Sequence, residues 1–155
     1  MSRRTAPPPA EKGAFEEAIG RSRGGRTTAI HALTDAGGKP RVLLIAPGNL
    51  HDVMMAPELL RTAGPIARLI ADKAYDTNRL RSRLAGQGIE AVIPSIARRK
   101  PLISHDRAAY RQRNLIERMF ARLKDFRRIA TRYDKLARNF LAGVLLAATV
   151  IWWLN

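Results

Sequence analysis

From Thr27 the chain alternates polar and apolar side chains, Thr-Thr-Ala-Ile-His-Ala-Leu-Thr, and after Asp35-Ala-Gly-Gly38 a second apolar run follows, Arg41-Val-Leu-Leu-Ile-Ala46. Two such runs joined by a glycine-containing turn predict a hairpin. Met54 to Thr62 has the spacing of a short helix. Ile66 to Ala71 is an apolar run ending at Asp72 and predicts a buried strand. Asp76 to Gln87 predicts a helix with an aspartate cap and Gly86 and Gly88 at its end, and Ile89 to Ile93 predicts another strand before Pro94. Two strand–helix units in succession imply a parallel component in the sheet. A basic loop, Ser95 to Asp106, leads to two helices, about Arg107 to Arg128 and Lys135 to Leu154. The order is β-β-α-β-α-β-α-α, which predicts a mixed sheet flanked by helices. Before Thr27 there is neither helical nor strand periodicity. Residues 1–26 are rich in Pro, Gly and Arg and read as irregular, with a short helix conceivable over Glu11 to Ile19.

The first of the two terminal helices carries candidate chemistry. At 100° per residue from Tyr110, Arg113, Glu117 and Lys124 fall at about 300°, 340° and 320°, within one stripe about 60° wide. Leu115, Ile116, Met119, Leu123 and Phe126 fall at about 140° to 240°, on the opposite face. One side can therefore be buried while the other presents a tyrosine, two cations and a single carboxylate. On geometry alone two readings stand: a functional stripe, or an amphipathic helix whose Glu117 simply neutralises Arg113 one turn earlier.

Charge gives a separate clue. The 155 residues hold 28 Lys and Arg against 13 Asp and Glu, a formal net charge of +15. Arginine supplies 22 of those cations, and 13 Lys and Arg together, against four acids, lie between Arg98 and Lys135. Arginine's planar fork suits bidentate phosphate contacts, so the cluster points to nucleic acid, with a solvated basic face or an anionic surface as the plainer alternatives. The chain has no cysteine, which excludes disulfide scaffolds and Cys-ligated zinc. Its 46% hydrophobic content suffices for a core, and one domain is expected. The longest apolar stretch, Phe140 to Leu154, falls short of the roughly 20 residues that span a bilayer, and no secretory leader opens the chain. A cytoplasmic protein without a membrane partner is the expectation.

Tyr110, two residues, Arg113, three residues, Glu117, six residues, Lys124 is a Y-(2)-R-(3)-E-(6)-K signature, and with it the sequence resembles the bacterial insertion-sequence transposases of the DDE type. Ala71-Asp72-Lys-Ala-Tyr-Asp76 resembles that family's second-aspartate motif. Gly20-Arg-Ser-Arg-Gly-Gly25, Ile30-His-Ala-Leu-Thr-Asp35, Arg113-Asn-Leu-Ile-Glu-Arg118 and Arg127-Arg-Ile-Ala-Thr-Arg-Tyr-Asp-Lys135 are also close to its recurrent wording. The resemblance runs from about Gly20 to the C-terminus. It implies an RNase H-like α/β core over 20–155 that cleaves and transfers DNA strands with three carboxylates holding two Mg²⁺ ions. Asp72 and Glu117 would be two of those metal-binding catalytic acids, and Tyr110, Arg113 and Lys124 would contact DNA. Hard divalent cations prefer oxygen ligands, and a pair of them clamps the attacking and leaving oxygens of an in-line displacement.

The departure is at the beginning. The family carries its first catalytic aspartate on a strand upstream of the Gly-Arg-Ser-Arg-Gly-Gly segment, whereas residues 1–19 here contain no aspartate. Glu11, Glu16 and Glu17 stand in no strand-like context, and Asp35 opens a hairpin turn, where aspartate is favoured for local reasons. The expectation is a partial catalytic domain lacking its first strand, with residues 1–19 an irregular segment. An upstream reading frame joined by frameshifting, a misplaced start and a decayed copy would each account for it. The partners expected are insertion-sequence ends and target DNA, an upstream-frame segment and a second protomer. The isolated chain should bind DNA with little strand transfer. Its rivals are a catalytically inactive basic DNA-binding remnant that interferes with an intact transposase and, more remotely, a nuclease of similar fold.

Other residues carry weaker signals. Asp72 alone could be a turn or capping residue. His51-Asp52 reads as a helix cap or as a substrate donor, and His31 as a core or sheet histidine. The three histidines have no zinc spacing. Gly24-Gly25 and Gly37-Gly38 read as turn glycines, and Trp152 and Trp153 as packing residues at the end of a helix that, if exposed, would offer a surface to another protomer.

Overall fold

The computed structural model describes residues 18–22 and 25–154. Strand β1 (Gly20–Ser22) and strand β2 (Gly25–Thr34) are antiparallel, and β2 continues into an antiparallel ladder with β3 (Pro40–Pro47) from Thr28↔Pro47 to Thr34↔Pro40. The turn between β2 and β3 is built as its sequence predicts. Asp35 accepts hydrogen bonds from the amides of Gly37 and Lys39, both at 2.9 Å, and Gly38 takes φ +81°, which only glycine adopts freely. Asp35 therefore serves the turn.

A 3₁₀ turn, Asp52–Met55, leads into helix α1 (Ala56–Ala63), which has Pro57 in its first turn and Gly64 at φ +71° beyond its end. Strand β4 (Arg68–Ile70), a 3₁₀ turn at Lys73–Tyr75, helix α2 (Asn78–Gly86) and strand β5 (Glu90–Val92) follow, with β4 and β5 parallel. Both strands are shorter at each end than the apolar runs 66–71 and 89–93. The mixed α/β character and the parallel component agree with the pattern. The sheet itself is in two pieces, since among the described residues β1-β2-β3 and β4-β5 are separate.

The predicted helix 107–128 is broken into α3 (Arg107–Tyr110), a 3₁₀ turn at Arg111–Arg113, α4 (Asn114–Lys124) and α5 (Arg127–Ala130), and α6 (Ala137–Trp153) closes the described fold. The break between α4 and α5 has a packing cause. Phe126 takes an extended conformation (φ −78°, ψ 105°) and turns the chain so that Ile129 is buried with Met119, Leu123, Phe140 and Val144 against Ala32 and Leu43 of the hairpin. A second core joins Ala56, Leu60, Leu69, Leu80, Leu84 and Ile93 between α1, α2 and the parallel pair. Among the described residues no helix is long and apolar enough to cross a membrane. Of the segment 1–19, only Ala18 and Ile19 are described; the helix considered over Glu11 to Ile19 and the acids Glu11, Glu16 and Glu17 lie outside the described residues.

Candidate active site

Asp72 lies two residues beyond the end of β4, where open α/β sheets place their ligands. Its backbone is extended, and its Oδ1 accepts the amide of Ala74 at 2.8 Å, capping the short 3₁₀ turn. Capping is thus real but uses one oxygen of two. The aspartate predicted to cap α2, Asp76, does not do so, because the Thr77 hydroxyl accepts the amide of Leu80 at 3.3 Å instead. Asp76 is buried. Its carboxylate takes Arg81 at 2.6 Å, Arg99 at 2.7 Å and the amide of Ile96 at 2.8 Å. Burial pushes its pKa up, but the Arg99 guanidinium, the Ile96 amide and Arg81 outweigh that and hold it at about 2.

Glu117 lies in the first turn of α4 and its Oε1 accepts Arg113 Nη2 at 2.6 Å. The Arg113 guanidinium carbon stands 5.9 Å from the centre of the Tyr110 ring. Burial would lower the Arg113 pKa, yet the Glu117 hydrogen bond and the charges of Glu117, Tyr110 and Asp72 raise it on balance. Arg113 therefore stands in the field of both acids. The stripe read from the helical wheel survives the 3₁₀ turn for Tyr110, Arg113 and Glu117. Lys124 is exposed at the end of α4, seven residues and about 10 Å beyond Glu117.

Asp72, Arg113 and Glu117 line one cavity of about 840 Å³, bounded by β2, β4, α1 and α4. Spacing does not show three further residues that line it: His31, Asp52 and Tyr75. His31 is buried on β2 with its Nδ1 3.8 Å from Asp52 Oδ1, and burial lowers its pKa against the opposing pull of Asp52. Its Nε2 is buried without a hydrogen-bond partner. Tyr75 is pushed up to about 12, first by burial and then by the charges of Asp52 and Asp72, and stays neutral. The His51-Asp52 pair does not act as expected of a cap, since His51 makes no side-chain capping bond and Asp52 faces His31 instead. A signal for this grouping existed only in the second-aspartate block, which contains Tyr75.

The donor set is of the type hard divalent cations prefer, but it is short. Among the described residues no three of His, Cys, Asp and Glu are grouped as metal ligands would be. Asp72 and Glu117 are two acids around one guanidinium, and these residues do not by themselves make a two-metal site. What they offer is a place where a phosphate could meet Arg113 beside two carboxylates, in a chain whose Arg98, Lys100, Arg107, Arg111, Arg118, Lys124 and Arg127 are all exposed. Trp152 is half-buried under the Arg122 guanidinium at 5.1 Å, a packing role, whereas Trp153 is exposed.

A family model described as "Transposase DDE domain" matches residues 4–152. A protein of Brucella ovis named "Putative transposase for insertion sequence element IS6501" is 36% identical over 127 residues, covering 81% of this chain and 98% of its own length. A Burkholderia cepacia protein named "Putative transposase for insertion sequence element IS402" is 31% identical over 134 residues, 79% of this chain and 61% of its own length. The chain thus spans under two thirds of the second relative. No solved structure matches it.

Proposed function

Because the chain belongs to the transposase DDE-domain family, we propose that it is the part of a bacterial insertion-sequence transposase that grips DNA and holds two acids of the strand-cleaving centre, with an RNase H-like core working in the cytoplasm. One observation carries this reading. Asp72 and Glu117 lie 45 positions apart in sequence and come from a strand end and a helix, yet they line one cavity with Arg113 in the field of both. Charged side chains from distant segments that converge on one cleft mark sites of chemistry more often than other surfaces do. DDE transposase domains work with divalent metal; Asp72 and Glu117 are the acids here suited to hold Mg²⁺, and the third acid comes from outside the described residues.

The chain's own residues divide the work by their chemistry. Arg113, fixed by Glu117 and packed by Tyr110, presents donors to a phosphate in a set orientation, and the exposed arginines of α3 to α5, with Lys124, follow the backbone on either side. Neutral Tyr75 supplies a donor without charge. The decisive test is Asp72→Asn and Glu117→Gln in a complete transposase carrying this domain, with excision of a marked element as the readout. Loss of excision with retained DNA binding supports the reading, and excision that survives both changes overturns it.

A second reading rests on the short donor set: as an isolated chain the protein binds DNA without cutting it, and can occupy element ends in competition with an intact transposase. Affinity for a DNA duplex should fall steeply with salt, since each phosphate neutralised releases condensed cations. Robust Mg²⁺-dependent cutting by the 155-residue chain would refute this second reading.

A further inference from the structure

The loop between β5 and α3 is pinned from within and carries apolar side chains on its outside. Ser95 Oγ accepts the amide of Ile103 at 2.9 Å and donates to its carbonyl at 3.1 Å, so one hydroxyl ties the two ends of segment 95–103 together. Beneath the loop, Asp76 Oδ2 takes the Ile96 amide at 2.8 Å and Arg99 Nε at 2.7 Å, and Arg99 Nη1 donates to Asn78 at 2.6 Å. The next residues are turned outward. Lys100, Pro101, Leu102 and Ile103 are exposed, Leu102 at 68% and Ile103 at 39%.

Single exposed apolar side chains are ordinary on a folded surface. Three in succession on a loop fixed by a buried ion pair are not, because an unpinned loop is free to tuck them away and fixing it has an entropic cost. Pro101 stiffens the tip further by setting its own φ. The rim is cationic. Arg98 and Lys100 precede the tip and Arg107 follows it, all three are exposed, and the sequence from Pro94 to His105 contains no acid. A short apolar tip between cations fits a DNA duplex, where phosphates flank a stack of apolar base faces. An apolar protein partner would leave the cations without counter-charge.

The tip is also tied to the candidate active site. His105, two residues beyond Ile103, meets Tyr110 edge to face with ring centres 5.3 Å apart, and Asp106 caps α3 by accepting the amides of Ala108 and Ala109. Tyr110 in turn packs Arg113. A phosphate met by Arg113 therefore sets where along the duplex the tip falls.

We propose that Pro101-Leu102-Ile103 is a wedge that enters one base step of the duplex held by Arg113, unstacking it and kinking the helix axis, with Arg98, Lys100 and Arg107 on the flanking phosphates. The inference deepens the DNA-gripping role proposed above and rests on it; the acid pair takes no part in it.

The test uses the full chain and a duplex of about 20 base pairs, two helical turns, built of TpA steps, which unstack readily, with 2-aminopurine in place of some adenines. 2-Aminopurine brightens when its stacking is lost, so its fluorescence reads the wedge, while the anisotropy of a dye at one end reads binding. Fluorescence should rise at saturation with the native chain. In Leu102→Ala/Ile103→Ala the rise should be lost, with the slope of log affinity against log salt unaltered and, because both side chains are exposed, the unfolding midpoint unchanged. Leu102→Met keeps an apolar wedge and should keep the rise. Arg98→Ala/Lys100→Ala should do the converse, lowering the slope by about 1.8 if each cation neutralises one phosphate and leaving the rise at saturation. Binding without a rise, or a rise that survives Leu102→Ala/Ile103→Ala, overturns the wedge and leaves the DNA grip standing; no binding at all overturns both. Phosphatidylglycerol vesicles are the rival probe. If they bind the chain through Leu102 and Ile103 while the DNA signal ignores those residues, the tip belongs to an anionic membrane surface and the proposal fails.

Discussion

Asp72 and Asp76 stand four residues apart on one connection and are put to opposite uses. Asp76 is buried, and two guanidiniums and an amide close around it. Asp72 is partly exposed, caps a single 3₁₀ turn and otherwise faces the cavity. A carboxylate fully enclosed by its own chain has nothing left for a ligand, whereas one with a single weak commitment is available. Asp76 also ties the basic loop to the fold: Arg99, which it holds, donates further to Asn78 at 2.6 Å, and Ser95 Oγ exchanges hydrogen bonds with the amide and carbonyl of Ile103. The loop that presents Arg98 and Lys100 is therefore held in place from beneath by a buried acid.

The contrast can be broken by substitution. Asp76→Ala strands two guanidiniums around a vacated pocket, and the stability lost should be about 3–5 kcal/mol, read by denaturant or thermal unfolding. A loss under 1 kcal/mol would show that Asp76 is as lightly committed as Asp72. Asp72→Asn should do the reverse. Asparagine keeps a capping oxygen, so the unfolding midpoint should barely move, while excision by a complete transposase drops by about 10²–10³-fold, the scale of losing one preorganised charge-stabilising group. Acid should separate the two residues further. Asp76 has its folded pKa depressed to about 2 from an ordinary 3.8, so its contribution is fully present above pH 4 and is lost as pH falls from there towards 2. In Asp76→Asn the acid limb of the stability profile should flatten; an unchanged limb would place the acid sensitivity elsewhere. The smallest effect concerns Arg113→Ala. Its exposed pair with Glu117 should cost at most about 0.5 kcal/mol of stability, while the slope of log affinity for DNA against log salt falls by about 0.9 if one phosphate contact is lost. An unaltered slope would remove Arg113 from the DNA surface.

The period of apolar residues made the hairpin, α1, β4, α2, β5 and the last helix legible, because each buries one face and the spacing records it. It misread the stretch 107–128 as one helix. Phe126 and Ile129 continue the helical spacing, and only the demand to bury Ile129 under α6 breaks it, a contact between segments that local periodicity does not encode. Asp76 was misread for the same reason: Thr77 and Asp76 are both competent caps, and the choice is made by Arg99, 23 positions away. Of the site, Asp72, Arg113 and Glu117 were accessible from motif spacing, and the cavity unites them. Lys124, placed on the stripe by angle, lies too far along the axis to share the cavity, since a wheel projects out distance. The His31–Asp52 approach was invisible, because a separation of 21 residues matches no helical or strand period.

The two cores have different dates of birth. The one around Leu60, Leu80 and Leu84 is complete once Ile93 has been made, but the one around Leu43, Met119 and Leu123 needs Phe140, Val144 and Ala147 of α6. Arg132 adds a late fastening, its guanidinium reaching the Thr28 hydroxyl and the Ala18 carbonyl from more than 100 residues downstream. At roughly 5–20 residues per second, a ribosome spends several seconds holding a nascent chain whose hairpin already exists but whose greasy underside has no cover. For that interval the apolar underside of the hairpin has nothing of its own chain to pack on, and the order of translation, from β2 to α6, sets when this core can close.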